Sequence, residues 1–249
     1  MVQKKVWAAS NDGAIEYISL TSEYLEDALD VLRKSFYRYE AGCFAVGLSE
    51  DLEAMAEMDS YMIDVAKGGI SIVAVEKATN IVCGVAFNKI QIDQGPSGKN
   101  YYKNYMNVYK RRATKEIFKF MDTCDELMDV FTPFNASSVM EIMFLATSPD
   151  FTKRGIALQL CEASTELARA LKMKQNVKQS LDGRVLPLEP TPQAVSALFT
   201  SPYSQKIGRK MGWTIVDKIS FDKFYTRGKP FSSVLGNYVK YITVECKKI

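Results

Sequence analysis

From Ser138 to Thr147 the chain reads SVMEIMFLAT, an almost unbroken apolar run that suits a central strand covered on both faces. It ends in Ser148-Pro149-Asp150 and passes a glycine at Gly155. Ile156, Leu160, Ala163, Leu167 and Leu171 then recur at helical spacing. A buried strand, a glycine turn and an amphipathic helix in immediate succession point to an α/β architecture, a sheet covered by helices. With 249 residues, 47% of them hydrophobic and 24% charged, the chain can bury a sizeable core in one large α/β domain.

The remaining segments supply the partners such a strand needs. Ile15 to Leu20 reads as a first strand, and Thr21-Ser22 opens a helix carrying Leu25, Ala28, Leu32 and Phe36 on one face. A second helix is expected from Ser49, with Glu50 and Asp51 in its first turn, to Gly68-Gly69. Strands at 70–76 and 81–92 flank a four-residue turn, a hairpin signal. The stretch 93–100 has loop composition, and the residues from there to Phe134 permit helix. Leu181 to Pro192 holds three prolines and suits an irregular excursion before a strand at 194–200. Tyr203 to Met211 suits a short helix ending at Gly212, and WTIVDKISFDKFY and NYVKYITVEC alternate like two antiparallel strands.

Composition excludes several classes of chemistry. Thirty-two Lys+Arg against 29 Asp+Glu leave a net charge of only +3, without the basic stripe of a nucleic-acid binder. There is no histidine, which removes Ser-His-Asp triads, Cys-His dyads and nearly every zinc hydrolase site. Cys43, Cys83, Cys124, Cys161 and Cys246 are odd in number and form no metal-ligand spacing, so no metal is expected and a reduced, cytoplasmic setting fits. No apolar stretch has the length of a signal-peptide core or a membrane span, so no membrane association is expected. Cys161 lies at apolar spacing and reads as core. The methionines at 55–62 and 121–128 read as packing, with an adaptable pocket as the other use.

In Phe151-Thr152-Lys153-Arg154-Gly155-Ile156-Ala157, small residues at 155 and 157 let backbone amides point outward together where a helix begins. Those amides, the helix dipole, Lys153 and Arg154 make a seat for a pyrophosphate. The turn is neither a Walker loop nor GxGxxG. Taken alone it leaves two readings open, an anion seat and a helix cap without a ligand.

The strand SVMEIMFLATSPDF, the turn TKRGIA and the helix LQLCEASTELARALK resemble the central motif of the GNAT superfamily of acetyl-CoA-dependent N-acetyltransferases. That turn reads Arg/Gln-x-x-Gly-x-Gly/Ala; Gly155 and Ala157 match it, and Thr152 departs from its first position. AVSALFTSPYSQKIGRKMGW resembles the second landmark, a strand followed by a Tyr-containing helix that ends in a Gly-aromatic pair. Residues 14–246 follow the superfamily's element order. VLRKSFYRYEAGCFAVGL and Phe199 to Ser204 are similar to the insect arylalkylamine N-acetyltransferase-like branch. Where that branch often has Asp-Glu-Pro, this chain has Tyr39-Glu40-Ala41, and Pro202 stands where some members have histidine.

The resemblance implies one domain over 1–249 with a mixed central sheet of about seven strands, whose splayed central strands hold acetyl-CoA. It implies a monomer that moves an acetyl group onto a primary amine, an arylalkylamine or a related biogenic amine or polyamine, by direct attack in a ternary complex. Glu40 would be the base, acting directly or through water; its other reading is a solvated glutamate after a helix. Leu145, Ala146 and Thr147 would supply amides for the oxyanion and pair with pantetheine, and Thr152, Lys153, Arg154, Gly155, Ile156 and Ala157 would hold the pyrophosphate. Tyr203 would protonate the departing thiolate or serve as a packed aromatic cap. Thr200 and Ser204 would orient substrate or cap a helix. The departures at Thr152, Ala41 and Pro202 motivate the alternative, a CoA-binding regulatory protein with weak or no turnover. A peptide N-terminus is a third kind of acceptor.

Overall fold

The computed structural model describes residues 5–93, 95 and 101–249; apart from Asp93 and Gly95, the loop expected at 93–100 lies outside them. The chain opens with β1 (Val6–Ala9) and β2 (Ile15–Ser19), followed by α1 (Leu25–Val31), which buries Ala28, Leu29 and Val31. A π-helical turn at Leu32–Phe36 carries α1 into α2 (Tyr37–Tyr39). Glu40 leaves the helical region with ψ 139° and caps α3 (Ala41–Val46). α4 (Leu52–Ala66) begins later than Ser49, because Leu48–Glu50 form a 3-10 turn and the Asp51 carboxylate accepts from the Ala54 N–H.

The expected hairpin is β3 (Ile72–Glu76) and β4 (Ile81–Ile92). α5 (Tyr101–Val108) and α6 (Arg112–Leu127) lead to β5 (Ser138–Thr147), and α7 (Ile156–Lys172) follows the glycine turn. β6 (Ala194–Phe199), α8 (Pro202–Met211) and β7 (Thr214–Ser220) come next. A ribbon of β8 (Tyr225–Thr226) and β9 (Lys229–Pro230), then α9 (Phe231–Leu235), precede β10 (Tyr241–Lys248).

The main sheet has eight strands in the order β1-β2-β3-β4-β5-β6-β10-β7, not about seven. The additional one is β1, a four-residue edge strand whose side chains stay half-exposed or exposed, so its sequence shows no buried-face pattern. The Trp7 indole N–H donating to the Ser19 hydroxyl at 2.9 Å helps fix it to β2.

Two cores flank the sheet. One lies under α1, α4 and α6 and holds Leu32, Met58, Met62, Phe87 and Phe118; the other lies under α7 and holds Ile72, Ala86, Met140, Leu160 and Cys161. Each large apolar side chain enclosed there stabilises the fold by roughly 1.5–3 kcal/mol. Met55, Met58 and Met62 serve as packing, and Cys161 is core as expected. Gly84 on β4 lets α7 approach closely: a Cβ there would lie 2.6 Å from Ile156 Cγ2. That contact seats the start of α7 against the sheet beside the end of β5.

The site is prepared by a break in the sheet. β5 and β6 are parallel neighbours through three register pairs only, Val139 with Ala194, Met140 with Val195 and Glu141 with Ser196. Beyond them β5 stays on β4 as far as Thr147, while β6 pairs with β10 as far as Phe199. The β4–β5 ladder slips between Phe87 and Asn88, leaving Met143 as an extra residue that bends β5. The two strands therefore separate, and part of the β5 backbone lacks a ladder partner on that side.

Candidate active site

The gap between β5 and β6 opens into a cleft of about 330 Å³ that brings together Glu40, Leu145, Ala146, Thr147, Thr200, Tyr203 and Ser204. Residues 152–157 are not part of its lining and lie beyond the C-terminal end of β5. Two regions expected to share one ligand thus sit in succession along one strand and its turn.

The two carboxylate oxygens of Glu40 differ in their surroundings. As N-cap of α3, Glu40 accepts the Cys43 N–H on Oε2 at 2.8 Å, satisfying an amide that the helix leaves open. Its Oε1 is buried and has no hydrogen-bond partner among the described residues. The solvated-glutamate reading is thereby replaced by a capping carboxylate with one unpartnered oxygen, on a residue that lines the cleft. Of the flanking tyrosines, Tyr39 lines the cleft, whereas Tyr37 turns away and donates to Asp59 at 3.0 Å.

Among the β5 candidates, backbone geometry separates the roles. The Ser148 N–H donates to the Cys83 carbonyl at 2.9 Å, and alternation of the antiparallel ladder turns Ala146 toward β4 as well. The backbones of Leu145 and Thr147 face the gap. They can pair with an extended ligand lying between the strands, whereas the Ala146 amide is spent on β4.

At the α8 end the cap is Ser201 and not Thr200. The Ser201 hydroxyl accepts the Ser204 N–H at 3.1 Å, and the Ser204 hydroxyl accepts the Ser201 N–H at 3.2 Å, a reciprocal capping box. Ser204 is tied into that box, and Thr200 lines the cleft just ahead of it. Pro202 occupies the first helical position, where its missing N–H costs nothing. Tyr203 is 77% exposed, which removes its reading as a packed aromatic cap and leaves its ring at the cleft rim.

The turn before α7 has Lys153 at φ 63° and Gly155 at φ 76°, so successive amides splay outward, and no side chain caps the helix at Gly155. The first-turn amides of α7 have no partners within the helix. Arg154 stacks over the Phe151 ring at 5.3 Å and reaches Glu76 at 3.4 Å, which orders the turn. These open amides and the unpaired β5 backbone fit the pyrophosphate and pantetheine of acetyl-CoA.

The structure brings to the cleft residues to which the sequence assigned no site role or which it left between packing and a pocket. Phe36, Phe120, Met121, Phe144 and Tyr238 line the cleft, and Phe36 meets Phe144 edge-on at 5.3 Å. Of the two methionine groups, Met121 is at the cleft. Helical spacing marked Phe36 as part of an apolar face and could have marked Phe120; nothing in NYVKYITVEC marks Tyr238. The Tyr238 hydroxyl is pushed up in pKa, by burial first and then by the neighbouring Tyr203 and Glu40.

Glu141 lies at the cleft's inner end, where β5 and β6 part, and accepts from Gln91 Nε2 at 2.5 Å. Burial, then the nearby Asp125, pushes its carboxyl up. Burial pushes the ammonium of Lys89, its register partner on β4, down. Asp125 is raised to about 7, chiefly by burial. Among the described residues lining the cleft there is no Lys or Arg, and the carboxyl groups are those of Glu40 and Glu141. No group of three or more His, Cys, Asp or Glu that could hold a metal ion occurs among the described residues, and no helix there is long and apolar enough to cross a membrane.

No family model matches the sequence, and no curated protein matches it. Solved structures do match by backbone course. An arylalkylamine N-acetyltransferase 2 from Aedes aegypti is 22% identical with a TM-score of 0.74, over 94% of this chain and 99% of that one. A mosquito arylalkylamine N-acetyltransferase like 5b is 16% identical, also at 0.74, over 94% and 100%. A Drosophila melanogaster polyamine N-acetyltransferase, an enzyme that forms N-acetylagmatine, is 13% identical at 0.70, again over 94% and 100%. Over nearly its whole length, the chain has the fold of the insect arylalkylamine N-acetyltransferases.

Proposed function

We propose that this protein is an acetyl-CoA-dependent N-acetyltransferase whose acceptor is a primary amine, an arylalkylamine or a related biogenic amine or polyamine. The observation that carries the reading is that Glu40, whose buried Oε1 has no hydrogen-bond partner among the described residues, lines a cleft with no described basic side chain, beside the gap between β5 and β6. Proteins of the same fold act on such amines: one is an arylalkylamine N-acetyltransferase, and another forms N-acetylagmatine.

An alkylammonium with a pKa near ~10.4 is only about one part in a thousand free base at neutral pH, so attack needs a proton acceptor. Glu40 Oε1 takes that proton. The amine nitrogen then attacks the thioester carbonyl carbon, and charge gathers on its oxygen. Amide donors facing the gap, at Leu145 and Thr147, suit that oxyanion. As the carbon–sulfur bond breaks, the nitrogen releases its second proton to solvent and the CoA thiolate takes a proton from a rim hydroxyl, Tyr203 being the one the family resemblance implies, whose phenolate is then reprotonated from solvent. The residues 152–157 hold the pyrophosphate through backbone amides, with Lys153 and Arg154 beside it.

The test is incubation with acetyl-CoA and a panel of tryptamine, dopamine, histamine, agmatine and spermidine, plus short peptides, with thiol release followed against an enzyme-free control. Release that depends on one class of small amine supports the reading. Release with peptides alone moves the acceptor to a peptide N-terminus, and CoA binding without release supports the non-catalytic alternative.

A further inference from the structure

Five tyrosines of the described chain are exposed, and three of them, Tyr39 at 67%, Tyr203 at 77% and Tyr238 at 46%, line the one cleft that holds Glu40. The fold does not need these rings for its core. Each nevertheless sits on a fixed backbone. Tyr39 ends α2 beside Glu40. Tyr203 is in the first turn of α8, which the Ser201–Ser204 capping box pins. Tyr238 follows α9, its N–H donating to the Leu235 carbonyl at 3.2 Å, with Leu235 and Val239 buried on either side.

Aromatic faces attract cations through the ring quadrupole, most strongly where an acidic group stands beside them and no basic group competes. Arg38, the nearest basic residue in sequence, turns away and donates to the Arg33 carbonyl at 3.2 Å. Tyr203 and Glu40 both act on the Tyr238 hydroxyl, which places Tyr238 within electrostatic reach of each, and all of them line the same cleft.

We infer that Tyr39, Tyr203 and Tyr238 form an aromatic cage that captures the acceptor in its charged ammonium form, with the Glu40 carboxylate as the acidic wall. This deepens the amine-acceptor reading and rests on it. The cage concentrates the abundant protonated amine at the mouth of the cleft. Deprotonation follows there, after binding and not before it. A ligand that keeps a permanent positive charge therefore binds without being acetylated, because its nitrogen has neither a proton to lose nor a lone pair.

The experiment measures binding of phenethyltrimethylammonium by calorimetry, with 2-methyl-4-phenylbutan-2-ol as a neutral analogue of similar shape. The cation is expected to bind about tenfold more tightly than the alcohol. Tyr238→Leu and Tyr203→Leu should each weaken the cation about threefold to tenfold and the alcohol less than about twofold, while Tyr→Phe at the same positions retains cation binding. Equal affinity for the two ligands, or equal loss of both in the Leu variants, would overturn the cage. The readout needs no turnover. Absence of acetylated amine with the cage effect intact counts against the enzyme alone, and turnover without the effect counts against the cage alone.

Discussion

Replacing Glu40 separates the helix cap that the structure shows from the role of base proposed for the same carboxylate. Gln keeps a carbonyl oxygen that can accept the Cys43 N–H, now received by Oε2 at 2.8 Å, but it cannot take a proton from an ammonium. Ala removes both. Loss of an N-cap costs about 1 kcal/mol, which in a protein of this size lowers Tm by about 2–4 °C. Glu40→Ala should show that shift, and Glu40→Gln should melt close to wild type. Turnover should fall in both by about 10²–10⁴, the range of a general base. In free energy that is roughly 2.7–5.4 kcal/mol of barrier, several times the cap's contribution. The assay is steady-state kcat/KM near neutral pH beside thermal melts and CoA titration. CoA affinity should stay near wild type, because the groups proposed to hold the cofactor are on β5 and the α7 turn. A loss in Glu40→Gln of less than about fivefold would refute the role of base. Loss of CoA binding together with turnover would refute the separation of the two sites.

Two further outcomes follow from the same geometry. Gly155 has φ 76°, and a Cβ placed on it would find no protein atom within 4 Å, so Gly155→Val meets backbone strain without a steric neighbour. CoA affinity measured by calorimetry should fall by about tenfold or more while the sheet stays folded, and unchanged affinity would remove the turn from the site. Asp125, raised from 3.8 to about 7, holds its proton in the folded state where the unfolded chain has lost it. Stability therefore falls as pH rises through that window; Glu141 acts in the same direction, and Lys89 is protonated in both states there. Tm recorded from about pH 5 to about pH 7 should decline less in Asp125→Asn than in wild type, a difference of about 1–2 kcal/mol, and parallel curves would refute the buried-carboxyl account.

The strand at 138–147 and the helix after Gly155 were legible because burial on both faces and a 3.6-residue period leave direct marks in the sequence. The family resemblance pointed to Glu40, and the structure adds its free oxygen. What the sequence could not express was geometry between distant segments. The gap depends on β6 leaving β5 after Glu141 and Ser196 and on the bulge at Met143, neither of which has a local signature. Thr200 and Ser201 are both plausible caps by residue type, and only the backbone angles select Ser201. Tyr238 comes to the cleft from the far end of the chain, within a stretch whose alternation resembles any strand. The edge strand Val6–Ala9 was missed because four half-exposed residues carry no periodic burial.

The most direct measurement is the identity of the products. The protein is incubated with acetyl-CoA and the amine panel, and both free CoA and acetylated amine are quantified by mass spectrometry, in wild type and in Glu40→Gln. The account predicts equal amounts of free CoA and N-acetylated amine from wild type with at least one small amine, and about a hundredfold or more less from the variant. CoA bound tightly by wild type, with no acetylated amine above the enzyme-free control for any member of the panel, would contradict it.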